Sequence, residues 1–147
     1  MGLIDAVGRG PVALDSALFI YFVEERPILV DLVHELLDEV AAGRLQAVTS
    51  ALTLLEVLVV PLRHGNRPLA DRYEALLTHS QGLRLVPVDS AQLRAAAQLR
   101  ASCPGLRTPD ALQLAAALSS GCTALVTNDR RLPSIPGLEV LQLDDFT

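Results

Sequence analysis

The sequence predicts a single α/β domain, with a central five-stranded, mainly parallel sheet flanked by helices. Three observations lead there. Short apolar runs that stop at turn residues alternate along the chain with longer runs of helical periodicity. The apolar half of the composition is Leu, Ala and Val with only 3% aromatics, which suits helix-on-sheet packing better than an aromatic-rich sandwich. The 147 residues match one compact domain and show no repeat, linker or low-complexity tract.

Taken in order, "MGLIDAVGRG" (1–10) reads as a short, glycine-containing leader to one domain spanning 1–147. "PVALD" is a brief apolar run ending at Asp15, hence a strand, and "SALFIYFVEE" has helical character. Pro27 suits the first turn of a second helix running to about Ala42 and stopped by Gly43. Its Leu29, Leu32, Val33, Leu36, Leu37 and Val40 share one face, with Asp31, Glu35, Asp38 and Glu39 mostly opposite. "LQAVTS" is a second strand; "ALTLLEVLVVPLRHG" follows as a helix ended by Pro61 and Gly65, then "RPLADRYEALLTHS" as another. "LRLVPV" is a third strand, and Asp89 or Ser90 caps the helix "DSAQLRAAAQLRAS". "TPDALQLAAALSSG" is a helix with Thr108 as N-cap, Pro109 next and Gly121 past its end. "TALVT" and "LEVLQL" are the last two strands, on either side of the turn-rich "NDRRLPSIPG". Strand–helix alternation of this kind gives a parallel sheet covered on both faces. In such sheets ligands bind beyond the carboxyl ends of the strands.

Charge and composition remove several chemistries. All twelve basic residues are Arg, so a P-loop lysine, a Schiff-base lysine and a receiver-domain lysine are impossible. The formal charge of −5 argues against loose phosphate binding by a basic surface, unless clustered acids hold a cation that meets the phosphate. Cys103 and Cys122 form no CxxC pair, which argues against a zinc site and for a reduced, cytoplasmic setting. No secretory pattern opens the chain and no apolar run has membrane-spanning length, so a soluble protein without a membrane partner is expected.

Four acids stand out. Asp15 ends the first strand and Asp129 follows the fourth; each is equally read as a cap of the following segment. Asp110 sits in a first helical turn, where the helix dipole favours negative charge. Glu56 lies among Leu54, Leu55, Val57, Leu58, Val59 and Val60, where a carboxylate is paired, metal-bound or at an opening to solvent. A narrow polar stripe with Thr53 and Arg63 is the other reading. Gathered at one end of a sheet, four acids repel one another unless a hard cation such as Mg²⁺ or Mn²⁺ joins them. Ser16 and Thr127 flank two of the acids and suit orienting roles, Ser16 also that of an N-cap; Asn128 suits a ligand contact or a turn.

The segments "VALDSALFIYF", "AVTSALTLLEVL", "TPDALQLAAAL" and "ALVTNDRRL" occur in the order seen in PIN-domain ribonucleases, and the chain resembles their VapC-type toxins from about Val12 to Leu141. The resemblance implies a divalent-metal-dependent endoribonuclease whose catalytic and metal-binding quartet is Asp15, Glu56, Asp110 and Asp129, with Thr127 as the hydroxyl near the last acid. It implies Mg²⁺ or Mn²⁺ as cofactor, RNA as substrate, a small antitoxin lying over the groove, and a homodimer. One departure stands out: the family often has Asn two residues after its first Asp, and this chain has Ala17. Local positive charge for RNA is offered by Arg63, His64 and Arg67, by Arg130 and Arg131, and by Arg107, any of which is equally a solvated surface residue. His34 and His79 show no spacing to an acid that demands a metal. Two rivals follow. A PIN-like binding module without catalysis is favoured by Ala17 and by the net charge. A phosphatase resembling haloacid dehalogenases needs a second Asp where Ala17 stands.

Overall fold

A computed structural model describes all 147 residues. The strands are β1 (Val12–Leu14), β2 (Ala47–Ser50), β3 (Leu83–Val86), β4 (Ala124–Thr127) and β5 (Glu139–Gln142). They form one sheet in the order β3-β2-β1-β4-β5, and every pairing is parallel. The expected five-stranded α/β architecture is therefore the one observed. β1 lies at the centre, with Leu14 in register with Val126 of β4 and Ala13 with Val48 of β2.

Alternation along the strands divides the core in two. Val12, Leu14, Ala47, Leu83, Ala124 and Val126 face one cluster. Ala13, Val48, Val86 and Leu125 face the other. The first cluster is closed by α1 (Leu3–Val7), α2 (Ser16–Val23), α3 (Leu29–Ala41), α4 (Leu52–Arg63) and α5 (Arg67–His79). The second is closed mainly by α6 (Ser90–Ser102) and α7 (Thr108–Ser119). Short parallel strands buried on both faces explain why the strand segments read as unbroken apolar runs. α7 is the most enclosed helix: Ala111 through Ala117 are all buried. A glycine is required at Gly82, whose φ is +82° and where a Cβ would lie 2.9 Å from the Val40 carbonyl oxygen.

Several boundaries differ from the sequence reading, each for a physical reason. Residues 3–7 are a packed helix rather than a bare leader, because Leu3 and Val7 are both buried in the first cluster. α3 begins at Leu29, two residues after Pro27, with Ile28 at its cap. α4 runs through Pro61 to Arg63; proline's φ fits a helix and costs one ladder bond, and the chain continues with His64 N donating to Val60 O. α7 is capped by Arg107 rather than Thr108, whose hydroxyl accepts from Arg100 instead. Asp15, not Ser16, is the N-cap of α2.

Candidate active site

The carboxyl ends of β1 and β4 are neighbours, so Asp15 and Asp129 come to the same edge of the sheet. The N-terminal turn of α7 brings Asp110 there, and the second turn of α4 brings Glu56. All four acids line a single cavity of about 420 Å³. The other lining residues are Ser16, Ala17, Tyr21, Arg107, Pro109, Gln113, Asn128 and Arg131.

Asp15 is the most tightly held acid. One carboxylate oxygen accepts from the Ser16 backbone amide at 2.8 Å, and the other from the Thr127 hydroxyl at 2.7 Å. Thr127 is fully buried, and its oxygen accepts from the Asp129 backbone amide at 3.0 Å, so one hydroxyl ties the two strand ends together. Burial pushes the Asp15 carboxyl above its ordinary range; the Thr127 hydroxyl and Ser16 amide pull it back, and the charges of Asp110 and Asp129 push it up again. Glu56 is also raised, first by burial and then by the Asp15 charge, against the Ser16 hydroxyl. Its Oε1 is buried and has no hydrogen-bond partner.

Asp129 stands at the other extreme. Arg131 grips it with two bonds of 3.0 Å, and Arg107 reaches the same carboxylate at 3.3 Å. These contacts, Arg131 foremost, hold the Asp129 carboxyl below its ordinary range. Arg107 also reaches Asp110 at 3.2 Å, so its guanidinium bridges two acids. Two of the four carboxylates thus have arginine partners inside the cavity, and two do not.

The other expected site residues divide. Ser16, Thr127 and Asn128 lie at the cavity or beneath it; Asn128 accepts from the Asp144 amide and donates to the Tyr21 hydroxyl at 3.4 Å, so it braces the loop after β4. Arg107 and Arg131 line the cavity. Arg130 points to Asp145 instead, at 2.6 Å. Arg63 and Arg67 lie on the exposed corner between α4 and α5, outside the cavity lining. His34, His64 and His79 are all exposed. The sequence reading passed over Gln113 and Tyr21, both of which line the cavity. Gln113 had a visible mark: it is the one polar residue between Ala111 and Ala117.

The donor set decides which ion such a cavity suits. Carboxylate oxygens alone favour a hard divalent cation over a soft metal. The unpartnered Glu56 oxygen and the upward push that burial and neighbouring acids exert on Asp15 and Glu56 fit the same ion. As the side chains stand, however, no three acidic, His or Cys groups converge as ligands. Asp129 is turned to Arg131, and an oxygen of Asp110 to Arg107.

Comparison with known proteins adds the family. No curated protein sequence matches the chain. Among solved structures, VapBC2 of Rickettsia felis, bound to a DNA fragment from its promoter, superposes with a TM-score of 0.70 at 17% identity, covering 89% of this chain and 97% of that one. A toxin–antitoxin complex from Klebsiella pneumoniae gives 0.63 at 18% identity, covering 86% and 94%. VapC20 of Mycobacterium tuberculosis, a toxin that cleaves the sarcin–ricin loop, gives 0.66 at 14% identity, covering 82% and 92%. Likenesses at this identity establish the fold. The sequence profile of the PIN domain matches residues 12–138, nearly the whole chain, and on that match the chain belongs to the PIN-domain family.

Proposed function

We propose that the chain is a divalent-metal-dependent endoribonuclease and the toxin half of a toxin–antitoxin pair. The observation that carries this reading is the convergence of Asp15, Glu56, Asp110 and Asp129, from four separate elements, on one cavity where a buried Glu56 oxygen lacks a partner. When bound, Mg²⁺ or Mn²⁺ supplies the positive charge the acids lack and Lewis acidity toward a phosphodiester. Asp15 and Glu56 would hold it, with Asp110 and Asp129 completing the set. Thr127 fixes the Asp15 carboxylate, and Ser16 steadies it from the helix side. Asp110, half-buried at the mouth of α7, suits taking the proton of an attacking water. Arg107 and Arg131 suit the phosphate, because their planar forks match its oxygens as they match carboxylates. Arg63, Arg67 and Arg130 are assigned to the flanks of a longer RNA. In-line attack with departure of the 3′ oxygen gives a 5′-phosphate and a 3′-hydroxyl.

Partners follow from the same reading. A small antitoxin over the groove is the partner this reading assigns, and the Klebsiella pneumoniae structure of the same fold is a toxin–antitoxin complex. A homodimer is supported by α4, whose Leu55, Val59 and Leu62 are 60%, 39% and 55% exposed and fall on one helical stripe. A cytoplasmic setting accords with the two free cysteines; no helix is long and apolar enough to cross a membrane. The second reading, a PIN-like binding module without catalysis, is favoured by Ala17 at the cavity wall and by the double engagement of Asp129 with arginines.

The test is cleavage of a panel of structured RNAs with and without Mg²⁺ or Mn²⁺, by the wild type and by Asp15→Asn. Metal-supported cleavage that Asp15→Asn abolishes while the fold survives is the expected result. Equal cleavage by both proteins removes Asp15 from the mechanism. Absence of metal binding and of cleavage in the wild type selects the binding module.

A further inference from the structure

Beneath the acids lies a buried polar network that the proposed chemistry does not use. Thr49, Ser50, Thr53 and Gln113 are at most 3% exposed. The Gln113 side-chain oxygen accepts from the Ser50 backbone amide at 3.1 Å and from the Thr49 hydroxyl at 3.4 Å. Its amide nitrogen donates to the Thr53 hydroxyl at 2.8 Å, and the Thr49 and Thr53 hydroxyls share a bond of 2.6 Å. One side chain of α7 therefore joins the last residue of β2 to the first turn of α4.

From this geometry we infer that Gln113 is a positioning residue that sets the spacing of Glu56 and Asp110. Gln113 lies three residues after Asp110 on α7, and Thr53 three residues before Glu56 on α4. Three residues are close to one helical turn, so each tie point sits on the same face as its acid, roughly 4.5 Å along the axis. The Gln113–Thr53 bond thus links α7 to α4 about one helical turn from each of the two carboxylates. Apolar packing does not do this job alone. α4 and α7 pack on opposite faces of the sheet, α4 against the first core cluster and α7 against the second, so little direct apolar packing joins them here. A primary amide with a fixed donor and a fixed acceptor admits one register. The same side chain also satisfies the buried Ser50 amide, so its loss carries a stability cost that the melting curves without metal register separately from Mn²⁺ affinity.

This inference rests on the proposed metal site, and its test separates the two. Mn²⁺ affinity is measured directly by titration, with free Mn²⁺ read by electron spin resonance. The proteins compared are the wild type, Gln113→Met, Thr53→Val, the double variant and Thr53→Ser, each with its melting curve recorded without metal. The double variant replaces both ends of the Gln113–Thr53 bond by apolar groups; Thr53→Val, which leaves Gln113 on the Ser50 amide, should lose affinity likewise and keeps the fold testable if Gln113→Met does not survive. The expected result is a Mn²⁺ affinity lowered about tenfold in Gln113→Met and in the double variant, as for other residues that orient metal ligands. Thr53→Ser, which keeps the hydroxyl, should bind like the wild type. A folded Gln113→Met or double variant that binds Mn²⁺ within about twofold of the wild type would overturn the positioning role and leave the metal site standing. A wild type that binds no Mn²⁺ removes the metal site, and the positioning role with it.

Discussion

Replacing Thr127 by valine is expected to loosen the strand-end junction on which the site is built. The change keeps the shape of the side chain and removes only its hydroxyl, so no cavity opens. Two bonds are lost. The first is the 2.7 Å donation to the Asp15 carboxylate, a charge-assisted bond worth roughly 1.5–3 kcal/mol. The second is the 3.0 Å bond from the Asp129 backbone amide, worth about 1 kcal/mol. Solvent does not restore either one, because Thr127 is fully buried. A loss of about 3 kcal/mol in a chain of this size lowers the melting temperature by roughly 6–12 °C. The loss also depends on pH. Burial already raises the Asp15 carboxyl, and the Thr127 hydroxyl is the largest influence opposing that rise. A carboxyl raised in the folded state gives up stability as pH climbs through its folded pKa, and without Thr127 it gives up more. The deficit should therefore be widest near neutral pH and shrink in acid, as Asp15 becomes protonated. Denaturation curves of wild type, Thr127→Val and Thr127→Ser across that range measure it, with serine keeping most of the stability. A valine variant as stable as the wild type at neutral pH, or a deficit that is the same in acid, refutes the reasoning.

Glu56→Gln should stabilise the metal-free protein at neutral pH, because it removes a half-buried carboxylate, one oxygen of which has no partner, that is raised by burial and by Asp15. The wild-type carboxyl contributes fully below its unfolded pKa and loses that contribution as pH rises through its folded pKa. The gain seen in urea midpoints should accordingly fade in acid; a less stable variant at neutral pH would show that Glu56 has a partner. Mg²⁺ or Mn²⁺ should raise the melting temperature of the wild type more than that of Asp110→Ala, because binding to the folded state stabilises it. An identical rise in both would show that Asp110 is not a ligand.

Fold and site were legible to different depths. The strands could be read because burial on both faces leaves apolar runs such as "VAL" and "ALVT" between turn residues. Their order could not, because sequence periodicity says which face a residue takes but not which strand lies beside it. The adjacency of β1 and β4 was an assumption about Asp15 and Asp129 until the register of Leu14 with Val126 gave it content. Glu56 announced itself as a charge in an apolar run. Asp110 looked like any acid in a first helical turn, and only the path of α7 gives it a second use. The short helix at residues 3–7 was hidden by its flanking glycines, and α4 was cut short at Pro61 because a proline's penalty is local. The arginines were the least legible. Arg107, Arg130 and Arg131 look alike in sequence, yet two turn into the cavity and one toward Asp145; the start of α7 aims Arg107, and the loop after β4 parts the other two.

The bond between Thr127 and Asp15 joins residues 112 apart in sequence. Loop closure over such a span comes late, after most of the polypeptide has been made. β1 lies between β2 and β4, so in any product that ends before β4 Asp15 stands at an unpaired sheet edge. A nascent or prematurely ended product can hold three of the acids and still lack the junction that seats the first of them. Assembly from distant halves thus leaves the cavity unfinished until the polypeptide has passed β4, a delay written into the strand order itself.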